Sequence, residues 1–161
     1  MSVFCGFVAG IVLFAERANY FSLIEDYPNI GNRITLIFFA YLLFAFFSTM
    51  FREIVKDIED REGDIKNGCT TLPIVYGTNK AKWVAYFFAI VLLGLLNYWV
   101  YIRSLDGTSK DLIFFIGGII LPLLFAIYKL KMAHSKNQLH QVSSIAKYIM
   151  LSGILYLLFL I

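Results

Sequence analysis

Six carboxylates fall within the short run from Arg52 to Gly68: Glu53, Asp57, Glu59, Asp60, Glu62 and Asp64. No proline interrupts this run, and Gly63 is its first glycine, so the helix that enters it is expected to continue through it. At about 100° per residue, Glu53, Asp57, Asp60 and Asp64 then lie within about 60° of one another on one helix face. Ile54, Ile58 and Ile65 gather on a neighbouring face that can pack against a bundle. Like charges at i,i+4, as in Glu53/Asp57 and Asp60/Asp64, cost about 0.2–0.5 kcal/mol each in an isolated helix. Cations seated between the carboxylates would remove that cost. One or two aspartates, completed by waters and phosphate oxygens, describe a Mg²⁺–diphosphate site. Lys56, Arg61 and Lys66 could neutralise phosphate oxygens directly. The same charges also fit a solvated, salt-bridged loop, because Arg52, Lys56, Arg61, Lys66, Lys80 and Lys82 balance the six acids.

The elements that must carry this segment follow from composition. Of 161 residues, 60% are apolar and 16% charged, whereas a soluble domain has about 45–50% apolar and about 25% charged residues. That excess excludes a disordered chain, a disulfide-rich secreted module and a solvated enzyme domain. Five apolar stretches stand out: Val3–Ala15, Ile34–Phe51, Trp83–Ile102, Leu112–Leu130 and Ala146–Ile161. In lipid a spanning segment must satisfy its own backbone, so all five are expected to be helices. The fold class is an all-α polytopic membrane bundle forming a single domain over residues 1–161. The first stretch is too short to cross a hydrocarbon core of about 30 Å.

Lysine and arginine set the expected orientation. Arg52, Lys56, Arg61, Lys66, Lys80 and Lys82 lie in the second connection, and Lys129, Lys131, Lys136 and Lys147 around the fourth. The first and third connections hold only Arg17, Arg33, Arg103 and Lys110. The positive-inside rule then makes residues 52–82 a cytoplasmic segment of a multi-pass protein of the cell (inner) membrane. The net charge of +3 shows no basic face of the kind a nucleic-acid partner requires. Cys5 and Cys69 are too far apart for a metal-type spacing and read as isolated thiols. Met1-Ser2-Val3 lacks the basic start of a cleaved signal peptide.

Within the spans, Pro122 is expected to bend its helix, and Gly117-Gly118 to permit close helix approach. Asn97 is expected to hydrogen-bond to a neighbouring helix. His134 and His140 read as solvated loop residues. A transporter would place ionisable groups near the bilayer midplane, and the apolar stretches hold none away from their ends. An inactive truncated fragment, or a non-catalytic membrane or transport component, stays open as an alternative.

Lys56-Asp57-Ile58-Glu59-Asp60-Arg61-Glu62-Gly63-Asp64, followed by Gly68, Thr71-Leu72-Pro73 and Gly77, resembles the second aspartate-rich motif of UbiA-type intramembrane prenyltransferases. Arg52-Glu53-Ile54 at its entry is most similar to the geranylgeranylglycerol-phosphate geranylgeranyltransferase branch. Homogentisate, naphthoate and chlorophyllide prenyltransferases have related motifs. The resemblance implies Mg²⁺-dependent transfer of a polyprenyl group from its diphosphate to a lipid or aromatic acceptor, within membrane lipids. It implies Asp57, Asp60 and Asp64 as metal ligands, with Asp60 and Asp64 the DxxxD pair on which catalysis depends. Lys56, Arg61 and Lys66 would be the substrate-binding cations. The family's first motif, NxxxDxxxD, has no counterpart here, since no Asn is followed by Asp four residues later. The chain is therefore expected to correspond to the C-terminal part of a nine-helix bundle and to have a missing N-terminal half as its partner.

Overall fold

The structure is a computed structural model that describes residues 28–105, 110–133 and 135–156. The apolar stretch Val3–Ala15, Cys5 and His134 lie outside those residues. In chain order the elements are α1 (Pro28–Lys66), α2 (Leu72–Val75), α3 (Thr78–Leu105), α4 (Lys110–Phe115), a π-helical turn (Ile116–Ile120), α5 (Leu121–Met132) and α6 (Lys136–Tyr156). No strand occurs among the described residues. Three helical segments are long and apolar enough to cross a membrane: Thr35–Lys66, Thr78–Ser104 and Leu112–Met132. The chain is an integral membrane protein of all-α class. Two compact units divide the chain between Phe46 and Phe47, within α1. The acidic run and every later helix belong to the second unit.

The helix α1 begins at Pro28, several residues before the apolar stretch, and runs unbroken through Gly63 to Lys66. Its 39 residues measure about 58 Å at 1.5 Å per residue. That is far more than a hydrocarbon core of about 30 Å needs. The residues after Phe51 are the surplus, and they carry the carboxylates beyond the apolar stretch.

Small and branched side chains hold the second unit together. The buried stripe of α3 runs through Ala81, Ala85, Ala89, Leu92, Leu96 and Trp99 at steps of three or four residues, the spacing of one helix face. Three alanines in succession allow close backbone approach at that end. Leu123, Ala126 and Leu130 form the buried face of α5, which packs chiefly on α6. Trp99 Nε1 donates to the Tyr156 hydroxyl at 3.4 Å, and the Phe115 and Tyr156 rings meet at 4.7 Å. The opposite faces expose Phe87, Ile90, Leu121, Phe125 and Leu151, as a lipid-facing surface requires.

Pro122 acts through the backbone as expected, although a π-helical turn takes the place of a simple kink. Having no N–H, it cannot serve the carbonyl one turn back. The chain widens over Ile116–Ile120, where the Leu121 N–H reaches the Ile116 carbonyl. Gly118 is buried, and a methyl group there would sit 3.8 Å from Ser152 Cβ on α6. Gly117 faces open space, so only one of the two glycines marks a close approach. Asn97 departs from expectation: its Nδ2 donates to the Leu93 carbonyl at 2.8 Å, one turn back in its own helix. An exposed amide satisfies itself locally when no neighbouring helix faces it.

Candidate functional site

The acidic segment is fixed by its apolar edge. Phe51, Ile54, Val55 and Ile58 are buried, spaced three, one and three residues apart along one side of α1. Ile65, predicted to join them, is exposed, because it lies in the last turn, beyond the packed part of the helix. The stop is a Schellman motif. Gly68 adopts φ +69°; its N–H reaches the Ile65 carbonyl at 3.2 Å, and the Cys69 N–H reaches the Asp64 carbonyl at 2.9 Å. The backbone of Asp64 is thus clamped by the cap. Replacing Gly68 by Ala forces an L side chain into the left-handed region, which costs about 1–2 kcal/mol. We expect the midpoint of thermal unfolding in detergent to fall accordingly, while Gly63→Ala, inside the helix with open space around it, does not lower it.

After the cap, Thr71-Leu72-Pro73 opens the short α2, with Pro73 buried in its first turn. Arg61 Nε donates to the Pro73 carbonyl at 3.3 Å, tying the acidic helix to this return. Gly77, at φ +88°, starts α3 and accepts the Ala81 N–H at 3.1 Å.

Asp57, Asp60 and Asp64 share one half-exposed face. Their mutual influence is visible at Asp57, which lies past the apolar stretch. Partial burial raises its pKa above the ordinary 3.8, and the charges of Asp64, Glu53 and Asp60 raise it further against the lowering effect of Lys56. Three neighbouring carboxylates therefore act on Asp57, as the helical spacing predicts. Among the described residues no three His, Cys, Asp or Glu side chains converge to enclose a metal ion. The donor set nevertheless fits a hard divalent cation of the Mg²⁺ type. Such an ion takes one or two carboxylates and fills its other positions with water and phosphate oxygens, so it needs no closed protein cage.

The remaining acids and bases distribute differently. Arg52 pairs with Glu53 beside it. Lys56 and Lys66 are exposed; Lys56 borders the carboxylate face, whereas Lys66 lies about 180° around the helix from Asp57. Arg61 is directed to Pro73 instead of the carboxylates. Two residues of α6 reach this segment that sequence reasoning left in a solvated connection. His140 Nδ1 lies 2.8 Å from Glu59 Oε1, and Lys136 Nζ lies 4.0 Å from Asp60 Oδ1. Their i,i+4 spacing is the signal that could have put them on one helix face. The helix starts at Lys136, well before the apolar stretch at Ala146, because Ser135 caps it: the Leu139 N–H reaches the Ser135 carbonyl at 3.1 Å. Cys69 is a free, exposed thiol.

A family model described as the UbiA prenyltransferase family matches residues 2–154. The chain belongs to this family. Digeranylgeranylglyceryl phosphate synthase of Methanosphaera stadtmanae is 38% identical over 104 residues, 65% of this chain and 37% of the relative. The protein of that name from Methanococcus aeolicus is 37% identical over 123 residues, 75% of this chain and 40% of the relative. That from Thermococcus gammatolerans is 59% identical over 46 residues, 29% of this chain and 17% of the relative. The chain therefore matches less than half the length of each of these relatives. No solved structure matches it.

Proposed function

We propose that this chain carries the second aspartate-rich half of a prenyltransferase site, which transfers a polyprenyl group from its diphosphate to a lipid acceptor. The single observation that carries the reading is the carboxylate face of α1, held past the apolar stretch by a buried edge and a glycine cap. Similarity to digeranylgeranylglyceryl phosphate synthases favours geranylgeranylglyceryl phosphate as acceptor over an aromatic quinone precursor. Asp57, Asp60 and Asp64 would hold Mg²⁺. When bound, that ion supplies the positive charge that neutralises a departing diphosphate.

The chain's own residues then have distinct tasks. Asp60 and Asp64, one turn apart, set the position of the diphosphate end of the substrate along α1. Lys56, beside Asp57, supplies a cation to phosphate oxygens. Arg61 keeps its Nε on the Pro73 carbonyl and has its other guanidinium donors left for phosphate, whereas Lys66, on the far side of the helix from Asp57, does not join them. The packing of Phe51, Ile54, Val55 and Ile58 holds the carboxylates in place, so little ordering is needed when substrate arrives. The acceptor's nucleophilic oxygen captures the allylic carbon as its bond to the diphosphate oxygen breaks. In a complete site a first aspartate-rich motif would face these residues. By the positive-inside rule, the distribution of lysine and arginine supports a cytoplasmic position for the acidic run at the cell membrane.

The test is a chimera in which residues 52–77 replace the matching segment of the Methanosphaera stadtmanae synthase. Radiolabelled geranylgeranyl diphosphate and geranylgeranylglyceryl phosphate are supplied in membranes with Mg²⁺. Label should appear in the double-chain lipid and vanish when the divalent ion is chelated. A chimera that inserts but transfers no label removes the proposal, and transfer that survives chelation removes the metal assignment.

A further inference from the structure

A groove of 680 Å³ opens between α3 and α5 at the end of the bundle where the acidic run lies. Its lining includes Trp83 and Tyr86 on α3 and Leu124 and Tyr128 on α5, together with Lys82, Lys131 and the polar Asn79. Leu124, Tyr128 and Lys131 recur at four and three residues, so they form one face of α5. Lys82 begins the matching face of α3. Both lysines are therefore at the same end, and the wall beneath them is aromatic and aliphatic. No carboxylate lines the groove.

The two ammonium groups are differently committed. Lys82 Nζ donates to the Ala133 carbonyl just past α5, at 2.6 Å, which fixes its position and leaves two of its three N–H groups for another acceptor. Lys131 has no hydrogen bond or ion pair among the described residues. Nearby Lys129 turns elsewhere, to Gln141 at 2.6 Å and over the Phe125 ring at 5.1 Å. The groove thus combines a pinned cation, a second cation with all its donors available, and an apolar wall entering a membrane-spanning pair of helices. We propose that it binds one anionic phospholipid. Its phosphate would sit between Lys82 and Lys131, and an acyl chain would lie along Trp83, Tyr86, Leu124 and Tyr128. The site is separate from the carboxylate face, because Asp57, Asp60 and Asp64 contribute nothing to its walls.

The argument for this occupant is charge complementarity. Lys131 and Lys82 make no ion pair among the described residues, Lys82 also bordering a pocket with Glu59 and Glu62. Two such lysines favour a net-anionic headgroup over a zwitterionic one by about five-fold for each cation near the surface. Snorkelling lysines alone would satisfy the interface without selecting one lipid. The structure provides its own reporter. Trp83 is 75% exposed and lies in the groove, whereas the second tryptophan, Trp99, is 9% exposed in the core.

The experiment reconstitutes the whole chain in phosphatidylcholine vesicles containing increasing fractions of brominated phosphatidylglycerol or brominated phosphatidylcholine, and reads tryptophan quenching. Brominated phosphatidylglycerol should quench at a mole fraction at least about five-fold lower. Trp83→Phe should remove that difference, and Lys131→Gln should reduce the preference about five-fold. Lys80→Gln, on the same helix end but outside the groove, should leave it unchanged. Equal quenching by the two lipids overturns the proposal, as does a preference that survives Trp83→Phe. An equal loss in Lys80→Gln shows diffuse surface attraction and also overturns it. So does relief of quenching by millimolar inorganic phosphate, which identifies the free anion as the ligand instead.

Discussion

Replacing Asp64 with Asn is expected to reduce Mg²⁺-dependent release of diphosphate by at least about 100-fold in the chimeric synthase that tests the proposed function. Charge neutralisation by a held metal is worth several kcal/mol at the transition state, and each 1.36 kcal/mol is a factor of ten in rate. Asn keeps the size of Asp and offers one neutral oxygen where a carboxylate had two charged ones. The backbone role of Asp64 is unaffected, because its carbonyl still accepts the Cys69 N–H that closes the helix cap. Insertion and helix content should therefore match the parent. The measurement is diphosphate release per milligram of inserted protein, across a Mg²⁺ titration. A variant with full turnover at saturating Mg²⁺ excludes Asp64 as a ligand.

Truncating Phe51 to Ala is expected to cost about 3–5 kcal/mol of unfolding free energy, the usual range for removing a buried aromatic side chain. Phe51 is 1% exposed and stands one turn before Val55, itself fully buried, at the point where α1 leaves its apolar stretch. Its removal leaves a void that the neighbouring helices refill only in part. Denaturant unfolding in micelles, followed by far-UV circular dichroism, measures the loss. Ile90→Ala is the control, because Ile90 is 62% exposed on the opposite side of α3 and exposed substitutions usually stay within about 0.5 kcal/mol. If both variants unfold alike, the packing edge does not hold the acidic run.

These two residues divide the information in the chain. The carboxylate face was legible as spacing alone, because a helix converts four-residue intervals into one side and nothing between Arg52 and Gly63 breaks the helix. Burial of Ile54 and Ile58 followed from the same geometry. Ile65 obeyed the period but not the burial, since period assigns a face and not whether anything lies opposite. Asn97 fails for the same reason: a polar side chain within a span needs a partner, and only packing determines whether that partner is another helix or the preceding turn.

His140 shows the opposite limit. Glu59 and His140 are 81 residues apart, and no local pattern relates them. The contact exists because α6 starts at Lys136 and, packed chiefly on α5, carries His140 in its first turns to within reach of Glu59. The groove beneath Lys82 and Lys131 likewise requires two helices to meet.

Membrane class, helical architecture and the aspartate-rich motif were all determined by the sequence by itself, because they rest on hydropathy and on intervals within one helix. Tertiary structure alone decided which cations face the carboxylates. Lys56 borders them, Arg61 turns to the Pro73 carbonyl, and Lys136 approaches Asp60 from another helix. A charged side chain is long and flexible, so its direction is set by the acceptors that folding brings within reach.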